Sequence, residues 1–187
     1  MSALHFASQL VSLLATVLLP GVVLIVVLKQ GWMRRLAVPI DAGSVWRDGR
    51  PVFGQTKTWL GVVIYVGGAA VVAGVLGHPD LASWVAPVLS GSRSAAIGFA
   101  IGVAYVLGEL VNSFVKRRLG IASSVETSSR WRGVQRVADL ADGIVAVSVL
   151  LVALGSSPLL VAATALVGVA VHAATDLAMH RLRLKSR

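Results

Sequence analysis

The chain has 187 residues, 56% hydrophobic and only 13% charged, with a mean hydropathy of +0.82. A soluble domain of this size needs far more charge to cover its surface, so a soluble fold is excluded. The absence of cysteine removes disulfide, zinc-finger and thiol chemistry, and the net charge of +9 calls for an explanation other than sequence composition alone.

Turn and charge signals cut the chain into apolar segments near 6–28, 58–77, 94–115, 139–155 and 159–179. Each approaches the roughly 20 residues that cross ~30 Å of hydrocarbon, the fourth being short. The expectation is an all-α integral membrane protein, a single transmembrane domain over 1–187 with five spanning helices. The first segment has no basic residues before it and several after it, which reads as an anchor with its N-terminus outside rather than a cleaved signal. The stretch 81–90 is apolar but half the needed length and flanked or interrupted by Pro79 and Pro87, so it is expected to be re-entrant or interfacial.

Five spans put the loops 30–57 and 117–138 and the C-terminus on one side. All but Arg93 of the 17 basic residues then fall on that side. Positive-inside bias makes it the cytoplasm, giving an N-out, C-in protein of the plasma membrane. About half of the +9 is thus accounted for by topology, and no nucleic-acid partner is implied. Asp41, Asp48, Glu109, Glu126, Asp139, Asp142 and Asp176 lie on the same side or at the inner helix ends, which positive-inside bias does not explain.

The first loop contains Asp48-Gly49-Arg50-Pro51, a turn signal. It closes on Gln55-Thr56-Lys57-Thr58-Trp59, where Thr56 or Thr58 suits a helix cap. The helix start with Lys57 offers a phosphate seat, against the plain alternative of a snorkelling Lys57 and an interfacial Trp59. In the third segment Glu109, Asn112, Ser113 and Lys116 share one helix face. An acid in hydrocarbon marks a site more often than a packing accident. The plain reading of Glu109 is an ion pair with Lys116 or a neighbouring Arg, and that of Lys116-Arg117-Arg118 is a stop signal. Asp139 and Asp142 stand at i and i+3 beside a basic loop. They suit Mg²⁺, which favours a few carboxylates plus substrate phosphates, or they cap the fourth helix. His172, Asp176 and His180 form a weaker stripe, in which Asp176 orients a polar neighbour and His180 sits at the headgroup boundary. Together these point to metal–phosphate chemistry on a lipid at the inner membrane face.

The run from Pro39 through WRDGRPVFGQTKTW, then GELVNSFVKRRLGI, then the Asp139–Asp142 pair, resembles the CDP-archaeol synthase family, relatives of the phosphatidate cytidylyltransferases. The resemblance implies a nucleotidyltransferase that converts CTP and an archaeol-like or diacylglycerol-like lipid phosphate into CDP-lipid and pyrophosphate, with Mg²⁺ as cofactor. It implies that Asp41, Asp48, Arg50 and Lys57 serve the nucleotide, with Thr58 and Ser113 beside them. It makes Lys57, Lys116, Arg117, Asp139 and Asp142 catalytic, and Glu109, Asp139 and Asp142 metal ligands. Glu109 departs from the family pattern, being one methylene longer than the usual Asp.

Two other readings remain at this point. Asp139-Leu140-Ala141-Asp142-Gly143 with Ala146 opens a CDP-alcohol phosphatidyltransferase motif, but Val147 stands where an Arg is required and the second Asp pair is missing. A small carrier with Glu109 and Asp176 lining a pathway is the non-enzymatic alternative. Gly98 and Gly102 allow close helix contact, which is compatible with a homodimer without fixing the oligomeric state.

Overall fold

The computed structural model describes the backbone over residues 2–122 and 132–181, with side chains there except at Arg34, Arg132, Asp176 and 178–181. Glu126 and the side chains of Asp176 and His180 therefore lie outside what is described. Five helices run α1 (Ala3–Gln30), α2 (Trp59–Leu76), α3 (Ser94–Arg118), α4 (Arg132–Ala153) and α5 (Pro158–Arg181). The all-helical expectation holds, and α1, α2, α3 and the 158–175 part of α5 are long and apolar enough to cross a membrane.

The fourth element differs from its expected bounds. α4 begins at Arg132, seven residues before the apolar run, because 132–142 is an amphipathic helical turn sequence and not a loop. Asp139 and Asp142 thus lie two turns inside the helix and do not cap it. Charges in its first half leave α4 with too short an apolar run to count as a span by composition, whereas Ile144, Val147 and Leu151 bury its second half. The helix thus takes in 132–138 of what was expected to be loop.

Local sequence explains the helix ends. Ser2 caps α1 by accepting the His5 N–H, and Gly31, at φ 67°, closes it by returning its N–H to the Leu28 carbonyl. Of the two candidate threonines it is Thr58 that caps α2, accepting from Gly61 N–H at 3.3 Å. Residues 79–89 form two short 3₁₀ turns and do not span. Ala86 donates its N–H to the buried Ser12 hydroxyl of α1 at 3.0 Å, so this segment is stitched into the end of the bundle away from the basic loops.

Glycines set the helix spacing. A Cβ at Gly98 would lie 2.3 Å from the Ala69 carbonyl, and one at Gly102 2.6 Å from Val66 Cα, so α2 and α3 meet backbone to backbone. The close contact that these glycines allow is made here between two helices of one chain. Gly108 does the same between α3 and α4, where its Cβ would lie 2.4 Å from the Asp142 carbonyl. This contact places Asp142 beside Glu109.

Candidate functional site

The 31–58 loop is held by side chains aimed at its own backbone. Asp41 accepts N–H groups from Gly43, Phe53 and Gly54 at 3.1, 2.8 and 2.9 Å. Its partial burial pushes its pKa up, but the three N–H donors outweigh this and leave it below the ordinary carboxylate value. Asp48 accepts the Arg50 N–H at 3.1 Å, and Gly49 at φ 74° completes the turn foreseen at 48–51. The carboxylates of Asp41 and Asp48 are committed to shaping this loop.

Three arginines clip the loop to the end of α3. Arg50 Nη1 donates to the carbonyls of Arg117 and Arg118. Arg117, only 5% exposed, donates Nε to the Phe53 carbonyl at 3.1 Å and Nη1 to the Ile121 carbonyl. Arg118 pairs with Asp48 at 2.7 Å, lies 4.8 Å over the Phe114 ring, and donates to the carbonyls of Arg50 and Pro51. The stop-signal reading of this basic run is too plain, since it fastens the loop. A buried guanidinium already bonded to two carbonyls is also poorly free to meet a substrate.

Two charged clusters lie beneath the loop. Lys57 Nζ meets Glu109 Oε2 at 2.5 Å, both side chains about a quarter exposed. The plain reading paired Glu109 with Lys116, two turns along the same face, or with a neighbouring Arg; the actual partner comes from 52 positions earlier. Lys116 instead pairs with Asp139 at 2.7 Å. Asn112 Nδ2 bridges the α4 acids, donating to Asp139 Oδ1 at 2.7 Å and Asp142 Oδ2 at 2.8 Å, and Asp142 Oδ1 accepts the Gly143 N–H. Each amide hydrogen of Asn112 serves one carboxylate, which fixes their spacing. Ser113 is buried on the same helix.

Among the described residues no three acids or histidines form a group ready to hold a metal ion. Glu109 pairs with Lys57 and Asp139 with Lys116, and the two hard carboxylates of α4, Asp139 and Asp142, are held at one spacing by Asn112 with Glu109 nearby. Two carboxylates fit a cation that draws its other ligands from water and substrate phosphates.

A cavity of about 590 Å³ opens from these charges between α1, α2, α3 and α5. Its polar end carries Thr56, Lys57, Thr58, Glu109 and His172, and its apolar wall includes Leu24 and Leu28 of α1. Tyr65 and Tyr105 form its floor, stacked 4.4 Å apart with 8° between ring planes. The size is that of a small-ligand pocket.

A family model described as CarS-like, CDP-archaeol synthase, matches residues 4–187. The chain belongs to the CDP-archaeol synthase family. Among its relatives, the CDP-archaeol synthase of Hyperthermus butylicus is 33% identical over 152 residues, 79% of each chain. The synthase of Pyrococcus abyssi is 40% identical over 87 residues, 44% of this chain and 47% of that one, and that of Thermococcus gammatolerans is 38% identical over 87 residues, 44% and 46%. The chain thus matches about half the length of these two. A solved structure reported as an intramembrane enzyme for archaeal membrane lipids biosynthesis shares the fold at TM-score 0.59 and 21% identity, covering 87% of this chain and 92% of that one. CDP-archaeol synthase membership sets aside the phosphatidyltransferase and carrier readings.

Asn112 and His172 were undervalued from sequence. Asn112 shared a helix face with Glu109 and Lys116, but its bridging role needs α4, which sequence spacing does not place. His172 was visible only as one member of a weak stripe.

Proposed function

We propose that this protein is a CTP-dependent cytidylyltransferase that converts a lipid phosphate to CDP-lipid and pyrophosphate, at the cytoplasmic face of the plasma membrane. The observation that carries this reading is the cavity that joins an apolar wall to Lys57 and Glu109, next to the Asp139–Asn112–Asp142 cluster. A lipid phosphate needs that combination: chains in an apolar groove, headgroup at fixed charge. Its family membership supports the same chemistry.

In this reaction an oxygen of the lipid phosphate bonds to the α-phosphorus of CTP as the bond to the β-phosphate oxygen breaks and pyrophosphate departs. The protein supplies position and charge. Lys57, held by Glu109, faces the phosphates at the cavity mouth, and Lys116 does so from α3. Asp139 and Asp142 would hold Mg²⁺, which when bound offsets charge on the triphosphate. Asp41, Asp48, Arg50 and Arg117 keep the 41–54 loop in shape as the nucleotide side of the site. Thr58 brings a hydroxyl to the same end, and Ser113 lies buried one turn beyond Glu109 on α3.

The test is purified protein with labelled CTP and a panel of lipid phosphates, archaeol-like and diacylglycerol-like. Pyrophosphate release with formation of a labelled lipid, dependent on Mg²⁺, is expected. Release of CMP, or no labelled lipid with any member of the panel, overturns the reading.

A further inference from the structure

His172 lines the same cavity as Lys57, from α5, and the reaction described above leaves it without a role. Its ring is half-buried and its Nδ1 lies 3.3 Å from the carbonyl oxygen of Leu140, on α4 between the two site acids. A carbonyl only accepts, so Nδ1 carries the hydrogen in either charge state of the ring. Nε2 is then the nitrogen left for the cavity, and among the described residues nothing occupies it. The ring is held in one orientation and keeps one adaptable group, at the polar end of a pocket otherwise lined by Thr56, Lys57, Thr58 and Glu109.

We infer that His172 reads the terminal phosphomonoester of the lipid substrate through Nε2 and so separates it from phosphodiester lipids of the surrounding bilayer. This deepens the cytidylyltransferase reading and rests on it. A phosphomonoester near neutral pH exists as both monoanion and dianion, its second pKa being about 6. The monoanion offers a P–OH, whose hydrogen Nε2 accepts while Nδ1 keeps its own hydrogen on the Leu140 carbonyl. A phosphodiester has no P–OH and a single negative charge, so it gives the neutral ring nothing to accept. Lys57 attracts any phosphate as a point charge and does not sense the P–OH. A bilayer presents diesters in large excess, so the discrimination matters to an enzyme that draws its substrate laterally from it.

The experiment begins with wild-type protein in detergent. Turnover of lipid phosphate with CTP establishes the underlying reaction, and its absence is a failure of that reading rather than of this one. Thermal stabilisation by the lipid phosphate is then compared with stabilisation by its methyl phosphodiester. The monoester is expected to win by about tenfold in apparent affinity, the scale of a hydrogen bond to a charged group. Equal stabilisation by the two lipids overturns the proposal, without recourse to any variant. His172→Phe, which keeps ring bulk and removes both nitrogens, is expected to raise KM for the lipid phosphate by about tenfold, leave KM for CTP unchanged and collapse the monoester preference. His172→Gln, whose amide both donates and accepts, is expected to regain part of that preference. A preference unchanged in His172→Phe, or a loss confined to kcat and the CTP KM, also overturns it.

Discussion

Gly143 follows directly on Asp142, and a methyl group there tests whether helix packing sets the site. Its Cβ would lie 2.6, 2.7 and 2.8 Å from three ring atoms of Tyr105, where ordinary contact begins near 3.4 Å. The ring cannot retreat, because it is stacked on Tyr65. α4 must therefore shift by roughly 0.6–0.8 Å, at about 1–3 kcal/mol for overpacking. Alanine returns about 1 kcal/mol of helix propensity, so the net loss of stability is modest, a few degrees in melting temperature at most. Activity is the sharper readout. A ~1 Å misplacement costs on the order of 10²-fold, so Gly143→Ala should lose at least about tenfold in kcat with CTP and lipid phosphate saturating. Tyr105→Leu in the same chain removes the obstructing ring and should restore much of the rate. Tyr105→Phe keeps all three offending atoms and should not. A Gly143→Ala protein with wild-type rate, or rescue by Phe as complete as by Leu, would refute the reasoning.

Asp142→Asn should lower turnover more than tenfold, about 1.4 kcal/mol or more of transition-state stabilisation, in folded and extractable protein; near-normal turnover assigns the pair to α3–α4 packing alone. Glu109→Gln leaves Lys57 unpaired and should impair both CTP turnover and melting temperature, whereas Glu109→Asp, which opens the 2.5 Å contact by one methylene, should fall between it and wild type. Equal, full activity in both removes Glu109 from the site. Asp41 has a depressed pKa, so its stabilisation is present above the unfolded value of about 3.9 and is lost as pH falls below it. The stability gap between wild type and Asp41→Asn, followed by chemical denaturation from pH 7 to pH 3, should close on the acid side; a gap that widens there contradicts the loop's dependence on the carboxylate. Single cysteines at Ser44 and Ser83 should be shielded from and open to an impermeant reagent in intact cells, respectively, and the reverse pattern inverts the orientation.

The helices were legible where an apolar run ends in a cap or a glycine, as at Thr58 and Gly31. The start of α4 was not, because 132–138, with Arg136, reads as a charged loop ahead of the apolar run that opens at Asp139. The residue types of the site were legible for the same reason that they are costly in a membrane. Their pairing was not. Spacing along one helix offers Glu109 only Lys116, while the fold delivers Lys57 from the loop and sends Lys116 to Asp139. The burial of Arg117 was not legible either, because it depends on a loop folding back over α3, which no local pattern encodes. Gly98 and Gly102 announced a close approach correctly, but a glycine does not say which helix will approach.

The arginine clip has a consequence for how this loop tolerates change. Apart from Asp48, the acceptors for Arg50, Arg117 and Arg118 are main-chain carbonyls, at Arg50, Pro51, Phe53, Arg117, Arg118 and Ile121. Every residue type carries such a carbonyl, so the fastening is blind to the side chains at positions 51, 53 and 121 and sensitive instead to spacing. Substitutions there leave the acceptors in place, whereas one residue inserted or deleted between 50 and 53 moves the Phe53 carbonyl out of register with the others. The loop is constrained as a ruler is, by the interval between its marks and not by what is written at them.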